Sequence, residues 1–425
     1  MNTLTAEQSN FIDTALTGRN CLLLAPAGYG KSYVIKTLVD KLESDEKKVA
    51  VVAPTGRAAL IIQGRTVHSF LGIGIGKGSA QDWYDKIMYN RYKKQIVADL
   101  VSIDTIIFDE ISMISNKFFT KIDTYLRLLR RNDQEPFGGI QIILVGDLFQ
   151  LSPVEDDFIF KSNSFEELNS SLHKFTKCFR QEDPAFLDML KSARYAKLDK
   201  SQIINLSNCN SIDESFIKDD IPTKLYATNR EADLMNQRSL KTLCEKKGIE
   251  PQMYEPIWEG KPSVAQQGFY RVMCNQYNID DKLQLAIGAQ IVITYNISQV
   301  IVNGTQGTIV NMTPKSIDFR KLGSDDLFTI EYIEFKDPEH SNKFSTPKTL
   351  FKYLPVKLGW AMTVHKSQGM TMKFLEIDFK SMFTHGQAYV ALSRVQSLEG
   401  LIVKNITPQA FICRNDVIEF SESMN

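Results

Sequence analysis

The apolar run Cys21-Leu22-Leu23-Leu24 leads directly into Ala25-Pro26-Ala27-Gly28-Tyr29-Gly30-Lys31-Ser32, and the helix-like stretch Tyr33–Leu42 follows. A strand that ends in a glycine-bearing turn with Lys-Ser behind it is a phosphate cradle. The backbone of Pro26, Ala27, Gly28, Tyr29 and Gly30 wraps the anion, and the following helix N-terminus faces it. Lys31 supplies a point charge for β- and γ-phosphates, and Ser32 a hydroxyl for Mg²⁺. This requires an α/β sheet whose ligand lies outside the carboxyl ends of its strands. Two positions depart from the usual pattern. Ala25 stands where the first glycine is customary, and Tyr29 is bulky for the loop apex.

Further strands ending in polar chemistry follow in order. The apolar run Thr105 to Phe108 ends in Asp109-Glu110, and Ile140 to Val145 ends in Gly146-Asp147 with Gln150 close behind. Beside a phosphate loop, Asp109 is placed to order Mg²⁺ through its water shell, and Glu110 to orient or deprotonate an attacking water. The structural alternative is an acidic first turn of a helix, favoured by the macrodipole. Gln150 is suited to sensing a γ-phosphate, because a neutral amide turns between phosphate and water without titrating. Its alternative is an ordinary surface loop.

The 425 residues allow two to four domains. Lys plus Arg and Asp plus Glu number 50 each, so any affinity for nucleic acid must come from a local basic channel. The six cysteines show no C-x-x-C spacing, which indicates neither a zinc site nor a disulfide framework. No apolar run is long enough for a membrane span, and residues 1–8 carry no basic or long apolar leader. The expectation is a soluble intracellular protein in a reducing compartment, cytoplasmic or nuclear.

Strands are expected at Asn20–Leu24, Val49–Ala53, Asp104–Phe108 and Gln141–Val145, as in a parallel sheet covered by helices. The stretch Gly72–Leu100 interrupts this rhythm with four spaced glycines, then a polar helical run carrying Tyr89, Arg91, Tyr92, Lys93 and Lys94. It reads as a surface insertion. A second α/β pattern follows, with strands at Lys224–Ala227, Phe374–Phe379 and Gly400–Lys404 and a helix at Gly386–Arg394. Between about Leu285 and Val356, β-like runs at Ala289–Tyr295, Gly307–Met312 and Leu327–Phe335, with a turn at Asn303-Gly304, suggest an inserted small β-barrel.

Several stretches together resemble the PIF-type branch of the superfamily 1 DNA helicases, which share ancestry with RecD-like enzymes. They are the Leu4–Gln8 segment, the phosphate loop, Ala53-Pro54-Thr55-Gly56-Arg57-Ala58-Ala59 and Thr66-Val67-His68-Ser69-Phe70-Leu71-Gly72. Asp109-Glu110-Ile111-Ser112-Met113, Pro136-Phe137-Gly138-Gly139, Gly146-Asp147-Leu148-Phe149-Gln150-Leu151 and Phe179-Arg180-Gln181 continue them. Val302-Asn303-Gly304-Thr305-Gln306-Gly307-Thr308, Thr363-Val364-His365-Lys366-Ser367-Gln368-Gly369 and Gln387-Ala388-Tyr389-Val390-Ala391-Leu392-Ser393-Arg394 complete the set. The family pattern usually carries a proline at Ser152 and a longer N-terminal region.

The resemblance implies an α/β chain of two RecA-like parallel-sheet P-loop domains. The first, 1–175, would carry a wedge insertion at about 73–100. The second, 176–284 and 357–425, would carry an SH3-like β-barrel at 285–356. It further implies ATP and Mg²⁺ as cofactors and a monomeric motor that translocates on single-stranded DNA with 5′→3′ polarity. Such a motor would unwind forked or tailed duplexes in replication, repair or recombination. Gln8 resembles the glutamine that reads the adenine edge. Arg180 and Arg394 resemble two arginines that reach the γ-phosphate from the second domain when the two domains close, and Gly369 belongs to the nucleotide side of its motif. Pro54, Thr55, Gly56, His68, Ser69 and Phe70, with His365, Lys366, Ser367 and Gln368, resemble single-strand contacts, Phe70 by stacking on bases. His68 and His365 have satisfied core histidines as their alternative. Two other functions stay open on the residues alone: a nucleic-acid-binding scaffold with little turnover, and a motor whose track is RNA or a DNA–RNA hybrid.

Overall fold

The computed structural model describes residues 4–424 apart from 91–92, 154–155, 214–220, 264–265, 268–269, 272–273, 275–281, 296, 299, 302–303 and 337–348. Arg91 and Tyr92 of the insertion and Val302-Asn303 of the turn motif therefore lie outside the described residues. The chain forms two compact units. One comprises Met1–Gln202, Phe383–Ser393 and Thr407–Asn425; the other comprises Ile203–Met382 and Arg394–Ile406.

In the first unit, β1 (Cys21–Leu24), β2 (Val49–Ala53), β3 (Arg65–Thr66), β4 (Thr105–Phe108), β5 (Gln141–Gly146) and β6 (Ser171–Lys174) form one parallel sheet in the order β3-β2-β4-β5-β1-β6. Strands β1 and β4 are buried along their whole length, which is why they read as unbroken apolar runs. The helix Lys31–Ser44 returns over the sheet on Val34, Ile35, Leu38 and Leu42, one face at helical spacing. The Gly72–Leu100 interruption contains the helices Ala80–Met88 and Lys94–Ser102. Trp83 anchors the first of them, buried edge-on against Tyr125 of the helix Asn116–Arg130. Ile75 and Tyr89 stay exposed on the same insertion.

Residues 176–202, expected with the second domain, cluster with the first unit, as do Phe383–Ser393 and Thr407–Asn425. The cause is local. Strand β6 extends the first sheet beside β1, the chain then passes the phosphate loop, and the helix Pro184–Arg194 packs on the helix Gln387–Leu392.

In the second unit, a parallel sheet is built from Ala361–Thr363, Thr223–Tyr226, Leu375–Asp378 and Leu401–Lys404, in that spatial order. The β-rich part is antiparallel, with Ile291, Ile309, Ile317, Phe319 and Ile330 at its core. It begins earlier than expected, because Gln252–Tyr254 and Ile257–Trp258 pair with Leu283–Leu285 and Thr349–Tyr353. The run Leu327–Phe335, expected as one strand, breaks at Tyr332. Leu327–Glu331 pairs with Ser316–Lys321, and Ile333–Lys336 with Thr349–Tyr353. Among the described residues no helix is long and apolar enough to cross a membrane.

Candidate active site

The helix Lys31–Ser44 starts from Gly30, whose φ of 83° is left-handed and which offers no side-chain cap. The first-turn N–H groups are thus left for an anion, and the macrodipole favours one there. Gly28 is left-handed as well, at φ 85°. A Cβ on Gly28 would lie 2.7 Å from Cβ of Arg180, and one on Gly30 would lie 2.8 Å from Nε2 of Gln8. Gln8 and Arg180, far apart in sequence, are therefore both brought against the phosphate loop. Gln8 is buried in a capping box, its Oε1 accepting from the Thr5 N–H at 3.0 Å.

Lys31 is buried, and its Nζ donates to the carbonyls of Ala25 (2.8 Å) and Pro26 (2.9 Å). Burial lowers its pKa, while Glu110, Asp147 and Asp109 oppose the fall. Ser32 is exposed beside it. The Ala25 N–H donates to the Gly146 carbonyl at 3.0 Å, continuing the β1–β5 ladder. Ala25 is not among the residues of positive φ, so the position has no need of glycine.

Asp109 and Glu110 leave the carboxyl end of β4, both buried. Asp109 Oδ1 accepts from the Glu110 N–H at 2.8 Å. Burial and the adjacent Glu110 carboxylate push Asp109 from 3.8 up to about 7 against the pull of Lys31. Glu110 itself is left-handed, φ 52° and ψ 46°, a conformation that costs an ordinary residue about 1–2 kcal/mol. Strain of this kind concentrates where a side chain must be aimed.

At the end of β5, Asp147 is wholly buried and ion-paired to Arg194, with Nη2 to Oδ1 at 2.7 Å. Burial alone would raise the Asp147 carboxyl, but Arg194 holds it below its ordinary value. The Arg194 guanidinium lies 3.9 Å above the Phe149 ring. Gln150 is buried, its N–H donating to the Asp147 carbonyl at 3.0 Å. The Tyr389 hydroxyl donates to Asp147 Oδ2 at 3.1 Å and accepts from the Ala27 N–H at 3.4 Å. A cavity of about 390 Å³ opens beside the loop, with Tyr29, Phe149, Arg194, Tyr195 and Tyr389 in its wall.

Sequence reasoning missed Arg194 and assigned Tyr389 no role. Arg194 carries no local signal beyond the last turn of an amphipathic helix. Tyr389 lies inside the Gln387–Arg394 motif, where its position was the available clue. Arg180 was expected to arrive from the second domain. It belongs to the same unit as the loop, half-buried, with Nη1 donating to the Ser393 carbonyl at 2.9 Å.

The remaining expected residues divide by burial. Pro54, Thr55 and Gly56 are half-buried beyond β2, and the Thr55 hydroxyl accepts from the Ala58 N–H. Ser69 is exposed, whereas His68 stacks on Phe118 with centroids 4.8 Å apart, and burial lowers its pKa. Phe70 is only 6% exposed, on the apolar side of its short helix. In the second unit His365 and Gly369 are exposed and Lys366 half-buried. Ser367 and Gln368 are buried, and the Ser367 hydroxyl donates to the Val364 carbonyl at 2.8 Å. Arg394 is 1% exposed, its Nη1 donating to the Met370 carbonyl at 3.4 Å within that unit.

A parallel sheet with this loop after β1, a carboxylate pair after β4 and a buried aspartate and glutamine after β5 defines a P-loop NTPase. The comparisons narrow that class. The family model for PIF1-like helicase matches residues 3–203. The ATP-dependent DNA helicase PIF1 of Danio rerio is 33% identical over 430 residues, covering 98% of this chain and 63% of that protein. The ATP-dependent DNA helicase Pif1 of Bdellovibrio bacteriovorus is 31% identical over 423 residues, covering 98% of this chain and 91% of that protein. The crystal structure of the Pif1 helicase from Candida albicans superposes with a TM-score of 0.84 at 29% identity, covering 100% of both chains. The chain belongs to the PIF1-like helicase family. It spans less than two thirds of the length of the Danio relative.

Proposed function

We propose that the chain is an ATP-dependent DNA helicase that translocates on single-stranded DNA and unwinds forked or tailed duplexes with 5′→3′ polarity. The observation that carries the reading is the convergence of Lys31, Asp109, Glu110 and Asp147 at the carboxyl ends of β1, β4 and β5, where the three carboxylates all act on the buried Lys31 amine. The names of its relatives, ATP-dependent DNA helicases, support the same activity.

In this proposal Lys31 exchanges the carbonyls of Ala25 and Pro26 for the β- and γ-phosphates. Glu110 takes the proton of the attacking water, and Gln150 follows the terminal phosphoryl. Arg180 turns from the Ser393 carbonyl to the charge that develops on that group. Arg394 is retained as the second such arginine, Gly369 as a nucleotide neighbour, and Gln8 as the reader of the adenine edge. The residues fit Mg²⁺: burial, and then the adjacent Glu110 carboxylate, raise the Asp109 pKa to about 7, and a dication would offset both. Ser32 and Asp109 would hold the ion, which supplies charge neutralisation for the transferring phosphoryl.

On the DNA side the proposal keeps Pro54, Thr55, Gly56, His68, Ser69, Phe70, His365, Lys366, Ser367 and Gln368 as single-strand contacts. The insertion is proposed as the wedge, supported by Ile75 at 71% and Tyr89 at 87% exposure. The β-rich part of the second unit would cover the strand. The six free thiols suit a reducing, intracellular compartment that contains DNA. Lys31→Ala tests the reading. It should abolish DNA-stimulated ATP hydrolysis and leave single-strand binding measurable; hydrolysis at the parental rate would refute it.

A further inference from the structure

We propose that Tyr389 is a positioning residue for the phosphate loop, gripping the Pro26–Ala27 peptide from the side opposite Lys31; this rests on the nucleotide-hydrolysing reading above. In a trans peptide the C=O and N–H point in opposite directions. Here the Pro26 carbonyl accepts from Lys31 at 2.9 Å, and the Ala27 N–H donates to the Tyr389 hydroxyl at 3.4 Å. The two side chains therefore hold one peptide plane from its two edges. When a triphosphate claims the Lys31 amine, the carbonyl edge is released. The N–H edge then depends on Tyr389.

The orientation of the phenol is itself fixed. Its proton goes to Asp147 Oδ2 at 3.1 Å, which leaves a lone pair for Ala27. Asp147 is wholly buried and stays charged because Arg194 pairs with it through Nε and Nη2. Arg194 is held in turn against Phe149. Arg194, Asp147, Tyr389 and Ala27 thus form a continuous chain of charge-assisted and neutral hydrogen bonds within one compact unit.

The helix bearing Tyr389 is pinned a second time at its end. The Ser393 carbonyl accepts from Arg180 Nη1 at 2.9 Å and from Gln181 Nε2 at 3.2 Å. The geometry assigns the helix Gln387–Leu392 the task of holding the outer edge of the loop in register. A hydroxyl serves there because it accepts from the amide and donates to the carboxylate at once.

The test uses the full chain carrying Tyr389→Phe, which keeps the ring and removes both hydrogen bonds. Affinity for a fluorescent ADP analogue is measured without DNA, and KM and kcat for DNA-stimulated ATP hydrolysis with it. With the bond to the Ala27 N–H gone, Kd and KM should rise about three- to tenfold while kcat stays within about twofold. Arg194→Gln should weaken binding as well, and the double variant should fall short of the product of the two effects, because both act through Asp147. An unchanged KM in Tyr389→Phe beside an active parent overturns the proposal alone, even if the melting temperature drops. Effects that multiply in full in the double variant also overturn it. A parent that binds no nucleotide overturns the reading beneath it.

Discussion

Arg180 donates through Nη1 to the backbone carbonyl of Ser393, 2.9 Å away, the residue immediately before Arg394. The guanidinium proposed for the terminal phosphoryl is thus held by a backbone carbonyl of the Gln387–Arg394 motif. Burial also lowers its pKa, with Tyr389, Cys178 and Glu110 offsetting part of the cost. A cation so placed gains more from a phosphoryl oxyanion than from a neutral carbonyl.

Arg180→Ala should therefore cut the rate of DNA-stimulated hydrolysis by about 10³, the lower end for arginine fingers. Nucleotide affinity should change far less, because the phosphate loop remains intact. Steady-state kinetics with a parallel binding titration separate the two effects. A variant that loses affinity but keeps kcat would place Arg180 in binding rather than turnover.

Asp109 makes the apo protein sensitive to pH. Its folded pKa, about 7, lies above the ordinary 3.8, so between these values the folded chain holds more protons than the unfolded chain. Stability from this group is present below 3.8 and is lost as pH rises through 7. Without divalent cations, the melting temperature should fall more steeply between pH 5 and pH 8 in the parent than in Asp109→Asn. Saturating Mg²⁺ with nucleotide should flatten the parent curve. Parallel curves for parent and variant would contradict the assignment.

Gly386 is a packing constraint. Its φ is 71°, and a Cβ there would meet the carbonyl oxygens of Gln150 at 2.4 Å and Phe149 at 2.5 Å. Backbone cannot move aside cheaply. Gly386→Ala should cost about 3 kcal/mol or more in chemical denaturation, from strain and overlap together. It should also lower nucleotide affinity, because the displaced turn carries Asp147 and Gln150.

The first sheet was largely legible from the sequence, since parallel strands buried on both faces read as short apolar runs. Val49–Ala53 has the same bounds in the structure, and Thr105–Phe108 and Gln141–Gly146 differ by a residue. Strand β6, Ser171-Leu172-His173-Lys174, was missed because it is an edge strand of mixed polarity that only its pairing with β1 makes regular. The loop, the carboxylate pair and Gln150 were legible because their chemistry is local. Burial was not: Phe70, Ser367 and Gln368 belong to motifs whose residue types suit nucleic acid, yet packing turns them inward. Nor was the Arg194–Asp147 pair, whose partners stand 47 positions apart and meet only through tertiary packing.

Strand displacement driven by ATP tests the central claim most directly. Duplexes of one sequence, carrying either a 5′ or a 3′ single-stranded tail, are mixed with the chain, ATP and Mg²⁺, beside the Lys31→Ala variant. The account predicts release of the strand from the 5′-tailed duplex by the parent alone. Release that is equal with Lys31→Ala, or that proceeds without ATP, would contradict it.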